Sequence, residues 1–281
     1  MKKILTTAIL CAGLVGFTAC DSFLDEEPKS SLTLDTYYKT SADIIGNVNY
    51  LYRDGAPDKM GNMTGAYRGS SLSVMNMVTG YFVNEYEGQE VDCSYARQLT
   101  RQDFTQSCCN YLTNDTWKSC YKSINVANAV IKYVDGVEMD NQAQYKAEAR
   151  FFRALNYFYL VKMFGDVPMV TEPTDIIPDL QFAVENLPNA TFAGNSHRVT
   201  KYAADMLLAD VYMRLGEYAN AVTPLKDVIN SGKFALATND NLAEGSAFNK
   251  LRTTDDLPEV IYAREYDAAI SPNGRKTCVP R

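Results

Sequence analysis

The stretch Ala147-Glu-Ala-Arg-Phe-Phe-Arg-Ala-Leu-Asn-Tyr-Phe-Tyr-Leu-Val-Lys-Met-Phe-Gly-Asp-Val-Pro168 decides how the rest of the chain is read. Within it Ala147, Phe151, Ala154, Leu155, Phe158, Tyr159 and Lys162 fall on or beside one face at helical spacing, which predicts a helix from Ala143 to Phe164. Gly165 occupies the position where a glycine commonly ends a helix, and Pro168 lies just beyond it.

Working outward, the preceding segment repeats the pattern. Trp117, Tyr121, Ile124, Ala127, Ile131 and Val134 form a stripe that Asp115 or Thr116 can cap and Asp135-Gly136 breaks. Earlier still, Thr40-Ser-Ala-Asp43 has the hydroxyl-then-acid spacing of a helix start. Ile44, Ile45, Val48, Leu51 and Tyr52 follow it, and Asp54-Gly55-Ala56-Pro57 ends the run. Residues 55–71 read as a loop, Leu72 to Val78 as a short helix, and Tyr81 to Tyr111 as an irregular segment of the kind that carries function.

On the other side, Asp179 to Asn186 reads as a short helix within a proline-containing stretch. Thr200 is placed to cap a hairpin whose helices run from about Lys201 to Leu215 and Tyr218 to Ser231, turned by Gly216-Glu217. Leu208, Ala209, Tyr212, Gly216, Tyr218, Ala221, Leu225 and Val228 stand where a tetratricopeptide repeat places its small and large residues. Ala209 and Ala221 let the helices approach while Leu208, Tyr212 and Leu225 fill the groove. Such a unit needs stacked neighbours, and the helices at 116–135 and 143–164 are the candidates.

The first residues give the compartment. Lys2 and Lys3 precede an apolar run from Ile4 to Phe17, too short to span a bilayer comfortably, and Thr18-Ala19-Cys20 closes it. This reads as a signal peptide over 1–19 with a bacterial lipobox that leaves Cys20 lipidated, although Phe17 stands where leucine is commoner. A single acyl chain holds marginally and several hold stably, at about 0.8 kcal/mol per buried methylene, so a multiply acylated cysteine tethers a domain to a membrane. Residues 20–39 form an acidic tether that opens with Asp21-Ser-Phe-Leu-Asp-Glu-Glu27.

The precursor holds 27 basic and 34 acidic residues, and without Lys2 and Lys3 the balance is −9. With no Lys/Arg run longer than two, nucleic acid is excluded as a partner. Beyond Cys11 and Cys20 the cysteines are Cys93, Cys108, Cys109, Cys120 and Cys278. One or two disulfides fit that set, most simply within the 93–120 region. The absence of any Cys-x-x-Cys pair argues against zinc, and no cofactor is implied. His197 is the single histidine, expected on a surface loop, and Asp255-Asp256 are expected to be solvated, so no hydrolase constellation emerges.

The 147–168 stretch resembles the signature helix of the SusD/RagB family of outer-membrane lipoproteins. Further segments agree in order: Cys20-x-x-Phe23-Leu24-Asp25-x-x-Pro28, Trp117-x-x-x-Tyr121-x-x-Ile124-x-x-Ala127-Asn128, and the hairpin at 200–231. Ser231-Gly-Lys-Phe-Ala-Leu236 and Glu259-Val-Ile-Tyr-Ala-Arg-Glu265 also resemble the family. The resemblance implies a mainly α fold of tetratricopeptide-like hairpins with long irregular loops, and a binding protein in place of a catalyst. It implies a lipid-anchored protein on the outer face of the outer membrane of Bacteroidetes. There it captures oligosaccharide, or in some members peptide, for a SusC-like TonB-dependent transporter, and the tetratricopeptide region serves as a packing platform. It divides the chain into a helical domain over 40–236 and the start of a C-terminal region over 237–281. Family members are commonly about twice this long, so the C-terminal half of the fold is expected to be missing and the chain to be a fragment.

The family places part of its ligand face in the segment that here contains Tyr81, Tyr86, Tyr95, Arg97 and Tyr111, which become the candidate ligand contacts. The alternative for each is a loop ordered by its own aromatics. Trp117, Tyr121, Phe151, Phe158 and Tyr212 lie on helix stripes and are expected in the core. A tetratricopeptide-type envelope adaptor without nutrient binding, or a non-functional fragment, is the competing reading.

Overall fold

Thr40 and Asp43 close a reciprocal cap. The Thr40 amide and hydroxyl donate to Asp43 Oδ2 at 2.8 and 2.7 Å, and the Asp43 amide returns a bond to Thr40 Oγ1 at 3.4 Å. The computed structural model describes Thr79 and residues 34–54, 101–102, 106–168, 176–240, 246–254 and 256–263 of the chain, with backbone alone at 35, 54, 106–116 and 252–253. Residues 1–37 and 38–281 form separate units. In the first, only the short helix α1 (Leu34–Tyr37) is described. The cap at Thr40 opens α2 (Ser41–Asp54), whose Ile44, Val48 and Leu51 are fully buried at i, i+4 and i+7.

The bonds from Thr40 hold the Asp43 carboxyl below its ordinary pKa. Its contribution to stability is therefore present above the ordinary carboxylate range and lost as pH falls through the lowered folded value. Asp43→Ala should lower the melting temperature at neutral pH, and the gap to the native chain should close in acid. A gap that stays constant across the titration would contradict this.

The next helix described, α3 (Gln106–Tyr133), starts well before the expected Asp115 or Thr116. Asn114, Asp115 and Thr116 are good caps, but no Gly or Pro interrupts 106–116, and a helix already nucleated by a packed stripe propagates through weak formers. The extension corrects the irregular reading of Gln106 to Tyr111 and narrows the cysteine pairings open within 93–120. Gln106 to Tyr111 is helical, and Cys108 and Cys109 lie roughly 17 Å along the axis from Cys120, beyond disulfide reach. Cys120 is fully buried in an apolar cluster with Ile124, Tyr157 and Leu160. Cys93 and Cys278 lie outside the described residues, as do the loop expected over 55–71 and the helix expected from Leu72 to Val78.

A short 3-10 turn, Val134–Gly136, ends α3, and the chain enters α4 (Gln142–Phe164). Gly165 ends it with φ 75°, a conformation that favours glycine, and its amide donates to Val161 O at 3.0 Å. The one-faced reading of α4 needs correction. Its middle is buried nearly all round, and Glu148, Arg153 and Asn156 are buried along with Ala147, Phe151, Phe152, Tyr157 and Leu160. Counting only apolar residues missed this, because paired charges can enter a core that isolated ones cannot. α4 is the central helix, packing on α2, α3 and α5 (Ile176–Asn186). α5 starts three residues before the expected Asp179 because Pro178 falls in its first turn, where the missing amide costs nothing.

Consecutive packing continues from α5 to α6 (Lys201–Arg214) and from α6 to α7 (Tyr218–Asn230), with Gly216 at φ 76° in the turn. The immediate neighbour of the hairpin is thus α5, which was not among the expected stacking partners. Ala209 and Ala221 are buried as the repeat pattern requires, and Lys201 bridges Asp205 on α6 and Asp227 on α7. Burial opposes the Lys201 charge, but the two acids outweigh it and raise its pKa. Thr200 takes the backbone conformation of an N-cap without the side-chain bond. Its hydroxyl is buried without a hydrogen-bond partner, so its capping role is not realised. A last helix, α8 (Ala247–Thr253), is capped by Ser246, whose Oγ accepts from the Asn249 amide. All the regular structure among the described residues is helical.

Candidate functional site

The segment expected to carry ligand contacts lies in the chain between α2, which ends at Asp54, and α3, which begins at Gln106. Tyr81, Tyr86, Tyr95 and Arg97 lie outside the described residues, as does Cys20. Tyr111 lies within the early turns of α3, among the residues described by backbone alone.

An ionic network lies at the end of α2. Glu148, on α4, is fully buried, and its two oxygens accept from Tyr52 Oη at 2.9 Å, Gln144 Nε2 at 3.1 Å, Arg198 Nε at 3.1 Å and Arg198 Nη2. Arg198 Nη1 reaches Asn49 Oδ1 at 2.9 Å, and the Val199 amide donates to Tyr52 Oη at 3.0 Å. The guanidinium also lies 4.7 Å from the Tyr52 ring centroid and 5.5 Å from that of Tyr145. Burial pushes the Tyr52 hydroxyl well above its ordinary pKa, and the Glu148 charge adds to the effect. For Arg198 burial works against the charge, but Glu148 prevails and its pKa is raised. Next to this network the Tyr50 ring is flanked by Arg53 at 5.7 Å and Lys122 at 5.4 Å.

A second network holds α3, α4 and α5 together. Arg153 donates Nε and Nη2 to the two oxygens of Asp179 at 2.6 and 2.7 Å, and Nη1 to Asn128 Oδ1 at 2.8 Å. Arg150 lies over the Phe182 ring at 4.1 Å. Sequence reasoning missed both networks. The available signal was the placing of Glu148 and Arg153 inside an otherwise apolar helical block, where a charge survives only with a partner.

His197 is not the surface residue expected. Its side chain is 10% exposed, its Nε2 pairs with Asp256 Oδ1 at 2.6 Å, and its ring rests on Phe192 at 5.2 Å. Asp256 is solvated as expected, 45% exposed, while it pairs with His197, and Asp255 lies outside the described residues. Phe192 continues to Tyr262 and Tyr262 to Phe151, so the segment after α8 is pinned to the helical body. The Ala235 amide donates to Pro258 O at 3.2 Å and that of Ala237 to Glu259 Oε2 at 2.7 Å, which brings the two C-terminal family segments together. Between them lies a cleft of 180 Å³ lined by Phe192, Lys233, Phe234, Asp256 and Pro258, below the size of a usual ligand pocket. The helix-stripe aromatics pack as expected. Phe151 and Phe158 are buried, and Trp117, Tyr121 and Tyr212 are partly so. Among the described residues no cluster of His, Cys, Asp or Glu could hold a metal, and no helix is long and apolar enough to cross a membrane.

Among the described residues the architecture is a helical scaffold of consecutive hairpins held by two buried ionic networks. The family model for SusD-like proteins, described as starch-binding associating with outer membrane, matches residues 22–213, and the chain belongs to that family. A SusD-like protein, P2, of Formosa agariphila is 27% identical over 297 aligned positions, covering 98% of this chain and 55% of its own length. Surface glycan-binding protein A from Bacteroides fluxus superposes with a TM-score of 0.65 at 22% identity, covering 85% of this chain and 53% of its own. Surface glycan-binding protein A from Bacteroides thetaiotaomicron, solved in complex with laminarihexaose, gives 0.58 at 19% identity, covering 74% of this chain and 48% of its own. The chain spans about half the length of the curated relatives it matches.

Proposed function

We propose that this chain captures oligosaccharide at the cell surface and passes it to a SusC-like TonB-dependent transporter, without catalysis. The observation that carries the reading is the family match through 22–213, with its starch-binding, outer-membrane description. The laminarihexaose complex of a structural neighbour supports glycan as the ligand class. Cys20 is the proposed lipid anchor to the outer membrane, facing the exterior, with residues 20–39 as tether, 40–236 as helical domain and 237–281 opening a C-terminal region. Tyr81, Tyr86, Tyr95, Arg97 and Tyr111 are the proposed ligand contacts, since aromatic faces with a polar tip suit the mixed surface of a sugar.

The test is calorimetric titration of the chain against a panel of starch, laminarin and other glucan oligosaccharides. One glycan should bind, and Tyr81→Ala or Tyr95→Ala should weaken it by about tenfold or more, as for an aromatic anchor. Membrane fractionation should place the native chain, but not Cys20→Ser, in the outer membrane with a barrel protein attached. A chain that co-purifies with the barrel yet binds no glycan would favour the envelope-adaptor reading.

A further inference from the structure

Between a 3-10 turn, Ala193–Asn195, and α6 the chain does what L-residues rarely do twice running. Ser196 and His197 both take left-handed backbone, at φ 51° and 58°. Such a pair persists only where its surroundings hold it. From within the loop, Asn195 Nδ2 donates to Arg198 O at 3.3 Å and Val199 O at 3.0 Å, and the His197 amide donates to Phe192 O at 3.0 Å. From outside, three successive residues each hold a partner. His197 Nε2 pairs with Asp256 Oδ1, Arg198 binds Glu148 and Asn49, and the Val199 amide donates to Tyr52 Oη.

These partners belong to two parts of the body that lie far apart in sequence. Asp256 opens the segment 256–262, whose Tyr262 packs on Phe192 of the same loop and on Phe151 of α4. Asn49 and Tyr52 stand on the last turns of α2. Planar peptides fix successive Cα atoms 3.8 Å apart, so a shift at His197 carries Arg198 and Val199 with it. The left-handed pair supplies a second arrangement. When the tie at either end opens, Ser196 and His197 can relax toward ordinary backbone, and the relaxed loop no longer presents its donors to the other end. The loop is thus one element that both ends bias, which is what coupling between separate places requires.

We propose that residues 196–199 form a junction that couples the docking of the segment 256–262 to the securing of the C-terminal end of α2. Each tie holds the strained backbone that the other tie needs, so the two form and open together.

The test is backbone hydrogen exchange on the full chain carrying Cys20→Ser, followed residue by residue. Asp256→Asn removes the carboxylate charge and keeps a residue that suits the φ of 63° at that position. It should speed exchange of the Val199 amide, and of the Leu51 and Tyr52 amides on α2, by about fivefold or more. His197→Asn, which also suits left-handed backbone, should act in the same way. Coupling is reciprocal, so Tyr52→Phe should move the imidazole resonances of His197, the single histidine of the chain, toward their positions in Asp256→Asn. In denaturant unfolding, Asp256→Asn with Tyr52→Phe should cost less than the two changes summed. Asp210→Asn, which removes only an exposed pair with Arg214 on α6, should leave both ends unchanged. Exchange at α2 that ignores Asp256→Asn overturns the proposal, and so does strict additivity of the double variant. Acceleration spread evenly over every helix would also overturn it, since that is general loss of stability and not coupling of two ends.

Discussion

Changing Glu148 to alanine should destabilise the helical body by about 3–5 kcal/mol, the usual cost of removing one partner from a buried ion pair. The carboxylate accepts from Tyr52, Gln144 and Arg198, and its loss leaves the guanidinium, 18% exposed, facing two aromatic rings without an anion. The Tyr52 hydroxyl loses its acceptor while still receiving the Val199 amide. Tyr52→Phe should cost less, about 1–2 kcal/mol, because it removes one hydrogen-bonding group and leaves the ion pair intact. Replacing Glu148 and Arg198 together by methionine should recover most of the loss, since the main penalty is the unpaired charge. Denaturant unfolding of the single and double variants closes the cycle. Additive losses would show that the two residues do not act as a pair.

Arg153→Met should be of similar size, about 3 kcal/mol or more, for a related reason. Asp179 is 2% exposed and receives two parallel bonds from Arg153, and Arg150 Nε, 3.9 Å away, is a poor substitute. Asn128 on α3 loses its bond in the same change, so three helices are loosened together. Arg153→Lys should rescue only part of the loss, because an ammonium cannot present the planar fork. Full rescue by lysine in an unfolding titration would mean that charge alone, and not the bidentate geometry, holds the helices.

Much of the scaffold was legible because its helices carry their own punctuation. Thr40 with Asp43, Gly165 and Gly216 set boundaries within a residue or two, since caps and positive-φ turns are local chemistry. The boundaries that failed were tertiary. Nothing within 106–116 announces a helix, and its extension rests on packing further along the chain. The depth of α4 was hidden for the complementary reason: Glu148 and Arg153 look like surface residues until Arg198 and Asp179, distant in sequence, are brought beside them. His197 was misjudged in the same way. The candidate ligand contacts came from the family resemblance, because an irregular aromatic segment has no period from which its geometry could be read.

The two ties from α2 to the start of α6 have a consequence for the order of folding. Helices α3 to α7 pack each on the next in sequence, so they can assemble by short loop closures. Asn49 with Arg198 and Tyr52 with Val199 instead join positions separated by 149 and 147 residues. Closing so long a loop is entropically late, and it gains its bonds only once Glu148 and Arg198 are already in place. α2, which precedes the proposed ligand segment, is therefore expected to be the last helix tied to the body at its C-terminal end.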